Sequence, residues 1–144
     1  MKVHRITSES DLKAALAIRR TVFVLGQSVP AELEQDAHDH TDATHYLALA
    51  DDDTPCGAAR WRVTESGVKL ERFAVLADYR NQQTGAALLR QVLQDVAAAH
   101  PHATVYLNAQ LPAVRFYERH GFEKVGQMFE EGGLQHYKMV WQPS

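Results

Sequence analysis

The stretch ERFAVLADYRNQQTGAALL, Glu71 to Leu89, decides how this chain is read. An apolar strand runs into a polar turn led by Arg80; then come Gly85 and a run of apolar residues at helical spacing. Leu88, Leu89, Val92, Leu93 and Val96 fall on one side of that helix, as in an element packed on a sheet. It should stop at His100-Pro101, because the residue before proline is pushed out of helical geometry. The first amides of such a helix have no internal partner and sit at the positive end of its dipole, so phosphate is their natural guest. Arg80 adds a cation, Asn81, Gln82 and Thr84 add side-chain donors, and Gly85 lets backbone approach closely. The spacing is neither GxxxxGK[ST] nor GxGxxG. By itself the turn also fits an ordinary αβ connection.

Working outward, KVHRIT alternates as a first strand, and Ser8 or Ser10 can cap a helix through DLKAALAIRRTVFVL. VPAELEQDAHDHTD is polar and acidic and reads as a loop with a helical turn. HYLALA is a strand; GAARWRVT and VKLERFAV form an antiparallel hairpin about ESG. ATVYLNA is a further strand, Pro112 opens a short helix that ends at Gly121, and FEKVGQMF and LQHYKMVW make a closing hairpin about EEGG. The order predicts an α/β chain, residues 1–144 as one domain. Its central sheet is mixed and mostly antiparallel, with one parallel crossover around the central helix.

Composition bounds the function. Hydrophobic residues are 45% and charged residues 23%, ordinary for a globular chain. A net charge of −3 argues against non-specific binding to nucleic acid or to an anionic membrane. Apolar runs are too short to span a bilayer, and MKVHRITSESD is not a signal peptide, so a cytoplasmic protein is expected. The single cysteine, Cys56, excludes an internal disulfide or a thiolate-built zinc site and reads as a buried, inert thiol.

Three patches taken together carry a family likeness: V/AxxxYRxxxxGxxLL, LNAQxxAxxFYxxxGF and FxExGLxHxxM. In that order they resemble the GNAT superfamily of acyl-CoA-dependent N-acyltransferases. The N-terminal VFVxxQxVPxxxExDxxD, followed by His45, is similar to its ElaA-like and YjcF-like bacterial branch. The resemblance implies helices on both faces of the sheet and two splayed parallel strands at a site for acetyl-CoA. It implies that Arg80, Asn81, Gln82, Gln83, Thr84, Gly85 and Ala86 form the pyrophosphate turn, with Gln83 where the family has its first glycine. If position 83 needs positive φ, a non-glycine residue costs about 1 kcal/mol and leaves the backbone amides in place. Phe73, Ala74 and Val75 resemble the strand end that pairs with pantetheine, Asn108 a residue that hydrogen-bonds it, and Phe116 and Tyr117 the aromatic pair beside the thioester. Tyr117 is then the candidate acid for the leaving coenzyme A thiolate.

On the acceptor side, alternation places Glu71 on one strand face with Phe73 and Val75, near the acetyl group, as a base acting directly or through water; it also reads as an ordinary salt-bridge residue. Leu12, Ala15, Leu16 and Phe23 form an apolar stripe on the first helix, and Arg19 falls within it. A guanidinium there must pair, with Glu34, Asp36 or Glu71, or snorkel. The branch often carries Glu where this chain has Gly26. EQDAHDHTDATH, with Asp36, Asp39 and His45, fits no metal-binding helix; it reads as an acidic lip for a cationic amine or as a solvated loop, and no metal is expected. Glu131 and His136 of the final hairpin join His45 as candidate acceptor contacts. The expected activity is direct acetyl transfer to a primary amine of a small molecule or peptide. A degenerate acyl-CoA sensor and an acyltransferase for longer chains are the rivals, and the last hairpin's edge could support a homodimer.

Overall fold

Seven strands build one sheet in the computed structural model, which describes residues 1–143. They are β1 (Lys2–Arg5), β2 (Thr44–Leu49), β3 (Pro55–Thr64), β4 (Gly67–Val75), β5 (Val105–Gln110), β6 (Phe122–Glu131) and β7 (Leu134–Trp141). Their order is β1-β2-β3-β4-β5-β7-β6, and β4–β5 is the one parallel pair. β6 is an edge strand that leaves Val125 and Met128 exposed.

Four α-helices complete the chain: α1 (Glu9–Arg19), α2 (Ala31–Glu34), α3 (Thr84–Ala99) and α4 (Val114–Glu118). Ser8 caps α1 by accepting from the Asp11 amide. The helix does not continue regularly to Leu25 as expected; Arg20–Leu25 is a π-helical turn. Its buried face is Ala15, Ile18, Arg19 and Val22, with Leu12, Leu16 and Phe23 only half-buried at the flanks. α3 buries all five residues of its apolar side, and Leu88, Leu89, Val92 and Val96 are fully enclosed. Each such side chain contributes about 1.5–3 kcal/mol through burial.

The sheet thus carries two cores. α3 and α4 cover one face through Leu70, Leu88, Leu107, Tyr117 and Met139. α1 covers the other through Ala15, Ile18, Leu47, Ala58 and Ala74. Strand alternation assigns every β4 residue to a face until Arg72, which interrupts it. Arg60 pairs with Glu71 and Ala58 with Ala74, so β4 places two residues where β3 has one. This is a β-bulge, and Arg72 adopts the left-handed region at φ 58°. Val68 and Leu70 face α3 before it; afterwards Ala74 faces α1 and Phe73 and Val75 face α3. Glu71 therefore lies on the opposite face from Phe73 and Val75, correcting the expectation of a shared face.

Candidate active site

β4 and β5 pair through Val68–Val105, Lys69–Tyr106 and Leu70–Leu107, and then part. From Glu71 to Val75 the side of β4 toward β5 has no strand beside it. The gap opens a cavity of about 730 Å³ through the sheet, lined by Phe73, Ala74, Val75, Asn108 and Tyr117 among others. Phe73 and Tyr117 belong to the α3 face; Glu71, Asn108 and His136 fall on the α1 face by strand alternation. The cleft thus has two mouths, one on each side of the sheet.

The turn at residues 80–86 stands at the end of β4 and opens α3. Gln83 is the N-cap of this 16-residue helix, and its carbonyl accepts the first helical bond, from the Ala87 amide. The amides of Thr84, Gly85 and Ala86 are left without helical partners. Gln83 has φ 67° and Asn81 has φ 63°, so position 83 does require the left-handed conformation for which glycine is favoured. The side chains are arranged otherwise than expected. Thr84 is 1% exposed and its hydroxyl donates to the Tyr79 carbonyl at 3.2 Å, so it faces inward and offers no donor to a ligand. The Gln82 amide donates to the Asp78 carbonyl and Arg80 Nε to the Val75 carbonyl, at 3.1 Å each. Arg80 is exposed and also lines the cleft. A Cβ at Gly85 would meet Phe116 Cζ at 3.5 Å, so this ring covers the first turn of α3.

Tyr117 packs edge-on against Phe73, Phe116 and Phe122, with ring centroids 6.3, 5.1 and 5.7 Å away. Burial alone raises its phenol well above the ordinary tyrosine range, so it is a neutral donor at any physiological pH. Phe116 is its partner on α4, and Asn108 stands half-buried across the cleft on β5.

The acidic segment is not a lip. Arg19, 1% exposed, donates to Glu34 Oε2 at 2.8 Å, to the Glu34 carbonyl at 2.8 Å, and to Asp39 at 2.7 and 3.1 Å. Arg60, fully buried, donates to both oxygens of Asp36 at 2.8 and 2.9 Å and to Asp39 at 2.6 Å. His45 is 7% exposed; its Nε2 donates to the Asp39 carbonyl at 3.0 Å, and burial first, then these arginines, keep it neutral below the usual imidazole range. Arg19, Asp36, Asp39 and His45 thus stand outside the cleft wall, as the frame that ties α1, α2 and the following 3-10 turn (Ala37–His40) to the sheet. Asp36 is held at about 2 chiefly by the Arg60 hydrogen bond. Burial would raise Asp39, but its bonds to Arg19 and the charge of Arg60 pull it below the normal carboxylate range. Among the described residues no His, Cys, Asp and Glu group of three is arranged to hold a metal ion.

Glu71 does reach the cleft wall, but as part of the same frame. Oε1 accepts from Arg62 Nε at 2.6 Å and Arg60 Nη2 at 3.2 Å; Oε2 faces Lys69 Nζ at 3.4 Å and Arg72 Nη1 at 4.0 Å. Burial would raise its pKa, yet Arg60, Arg62 and Lys69 together lower it. That makes a poor proton acceptor. Arg60, Arg62, Lys69 and Arg72 were not singled out in the sequence; the alternation of Arg60 and Arg62 opposite Trp61 on β3 is the signal that could have marked a charged face.

His136, 6% exposed, lines the cleft from β7. Its Nδ1–H donates to the Leu134 carbonyl at 2.8 Å, and its ring stacks on Phe129 at 5.8 Å. This bond makes Nδ1 the donor, so the neutral ring carries its lone pair on Nε2. Glu131, exposed at the end of β6, lines the rim. Cys56 is buried against the Ala48 carbonyl at 3.6 Å and does not reach the cleft.

The splayed parallel strand pair beside a free helix start is the arrangement that the sequence resemblance implies, and comparison with known proteins agrees. The family described as acetyltransferase (GNAT) domain matches residues 7–143. The chain is 35% identical over 141 residues to the uncharacterized N-acetyltransferase YjcF of Bacillus subtilis, covering 97% of this chain and 99% of that one. It is 32% identical over 143 residues to the protein ElaA of Escherichia coli, covering 95% and 91%. The crystal structure of Escherichia coli ElaA superposes with a TM-score of 0.88 at 28% identity, covering 99% of this chain and 100% of that one. An acyl-CoA N-acyltransferase from Pseudomonas aeruginosa superposes at 0.86 with 25% identity, covering 99% and 100%. The chain belongs to the GNAT acetyltransferase family, in the branch of ElaA and YjcF, and is an acyltransferase.

Proposed function

We propose that the chain is a cytoplasmic N-acetyltransferase that moves an acetyl group from acetyl-CoA to a primary amine of a small molecule or peptide, directly, within a ternary complex. The observation that carries this reading is the unpaired flank of β4 from Glu71 to Val75, ending at the free amides of α3. Pantetheine would lie in the gap as an added strand, bonded to the backbone of Phe73–Val75 and to Asn108. The pyrophosphate would rest on the amides of Thr84–Ala86, with Arg80 swung from the Val75 carbonyl onto it. The thioester then ends between Tyr117 on one face and His136 on the other.

The amine enters from the α1 face. His136 Nε2, its ring fixed by Leu134 and Phe129, accepts the amine proton as nitrogen attacks the carbonyl. It replaces Glu71, whose carboxylate is held by cations. Tyr117 hydrogen-bonds the departing sulfur, and the tetrahedral intermediate collapses to amide and coenzyme A. No covalent relay is needed, since Cys56 stands away from the cleft.

Calorimetric titration with acetyl-CoA, the wild type beside Arg80→Ala, tests this reading. Micromolar binding weakened about tenfold or more by the substitution is expected. A folded wild type that binds no acetyl-CoA contradicts it.

A further inference from the structure

The charged frame beside the cleft does not balance. Arg19, Arg60, Arg62, Lys69 and Arg72 are linked by ion pairs to Glu34, Asp36, Asp39 and Glu71, five cations to four carboxylates. His45 adds no charge while it is neutral. Among the described residues, unspent donors remain on Arg60 Nε and on the two Nη atoms of Arg62, which do not line the cleft, and on two cations that do. Among the described residues, Arg19 spends Nε, Nη1 and Nη2 on hydrogen bonds, whereas Lys69 Nζ and Arg72 Nη1 make none. These two groups flank one oxygen, Glu71 Oε2, at 3.4 and 4.0 Å, and both residues line the cleft. Their side chains are about one-fifth exposed, 18% for Lys69 and 23% for Arg72, so they are neither solvated freely nor paired tightly.

Arg72 is placed there at a cost. The left-handed conformation, at φ 58°, is unfavourable for a non-glycine residue, and the bulge it creates turns this guanidinium to the cleft while Nε and Nη2 hold the Glu34 and Leu33 carbonyls. Burial and the neighbouring Arg60 charge pull it below the ordinary arginine range, the sign of a cation short of counter-charge. A planar carboxylate can take one oxygen to each unspent donor group.

We propose that the acceptor amine carries a carboxylate, as an amino acid does, and that Lys69 and Arg72 bind it on the α1 face of the cleft. Glu131, which lines the rim without an ion pair among the described residues, attracts the ammonium end of the same molecule; the ammonium gives one proton to solvent, and the free amine gives its second to His136 as it attacks the carbonyl. The inference rests on the acetyltransferase reading. It replaces the expected cationic-amine lip with a site of the opposite preference.

The test compares each of a series of amino acids, from α-amino to ω-amino, with its own primary amide as acceptor, by coenzyme A release; acetyl-CoA affinity is measured alongside. The expected result is a kcat/KM at least tenfold higher for the acid than for its amide at one or more spacings. In Lys69→Met the ratio should fall toward one while acetyl-CoA affinity is kept; Lys69 is chosen because it touches the frame only through Glu71. Amides preferred at every spacing, an unchanged ratio in Lys69→Met, or acetyl-CoA binding without turnover of any acid would each overturn the proposal. Absence of acetyl-CoA binding would instead bring down the acetyltransferase reading beneath it.

Discussion

Glu71 and Phe73, two positions apart on one strand, point to opposite faces of the sheet because Arg72 between them adopts φ 58°. The bulge separates two jobs that plain alternation would have merged. Phe73 stays with Tyr117 on the α3 face, and Glu71 goes into the ion-pair frame on the α1 face. Removing the left-handed residue's partners should therefore matter more to the acceptor side than to the cofactor side.

The base assignment follows from that separation. His136→Gln is expected to lower kcat/KM by about 10²–10⁴ with acetyl-CoA affinity within twofold of wild type. Glu71→Gln should lower the melting temperature, because Arg60 and Arg62 lose a charged partner, and should lower kcat/KM by much less than His136→Gln does. A loss of about 10²-fold or more in Glu71→Gln, with turnover kept in His136→Gln, would restore Glu71 as the base.

Tyr117→Phe removes a hydroxyl and little volume. Turnover should drop by about 10²–10⁴ with acetyl-CoA affinity within twofold of wild type. The raised phenol makes full proton release difficult, which is why a hydrogen bond to sulfur, not complete transfer, is the role proposed for it. Unchanged turnover would leave Tyr117 as an aromatic filler between α4 and the sheet.

Asp39 accepts from two buried arginines and its side chain is fully buried. Asp39→Asn leaves Arg19 and Arg60 undercompensated and is expected to cost about 3–5 kcal/mol, read by denaturant unfolding. A loss below 1 kcal/mol would mean that the frame relaxes onto water.

Acid should unfold the protein in stages. Asp36, Asp39 and Glu71 all have lowered native pKa values, so their stabilisation is complete above the unfolded carboxylate range near ~4 and is lost as pH falls toward about 2. Buried neutral His45 acts in the same direction at higher pH: its contribution is complete above ~6.5 and is lost as pH falls through its depressed native value. Melting temperature should start to fall below pH ~6.5, and His45→Gln should remove that first step. A flat profile from there to pH ~4 would contradict the burial argument.

Local pattern carried much of this. The one-sided spacing of α3 and the polar turn before it are readable because both are properties of neighbouring residues. That Arg19 would either pair or snorkel was readable too, and the structure shows pairing, with Glu34 among the partners expected. Its second partner, Asp39, and the crossing of Arg60 into the same frame depend on how the segment after α2 folds back over β3, which no periodicity encodes. The Arg72 bulge is hidden for a related reason: KLERFAV alternates well enough as a plain strand, and only the ion pairs and the Arg72 bonds to the Leu33 and Glu34 carbonyls select the kink. Thr84 looked like a ligand donor because a hydroxyl at a helix start usually faces outward; here the left-handed Gln83 turns the chain so that it faces Tyr79.

Direct acetyl transfer, as proposed, is checked by single-turnover mass spectrometry with acetyl-CoA and an amino-acid acceptor. The account predicts acetylated amine and free coenzyme A appearing together, one for one, with the protein's mass unchanged at every time point. An acetyl adduct on the protein that forms and decays, or coenzyme A released without acetylated amine, would contradict it.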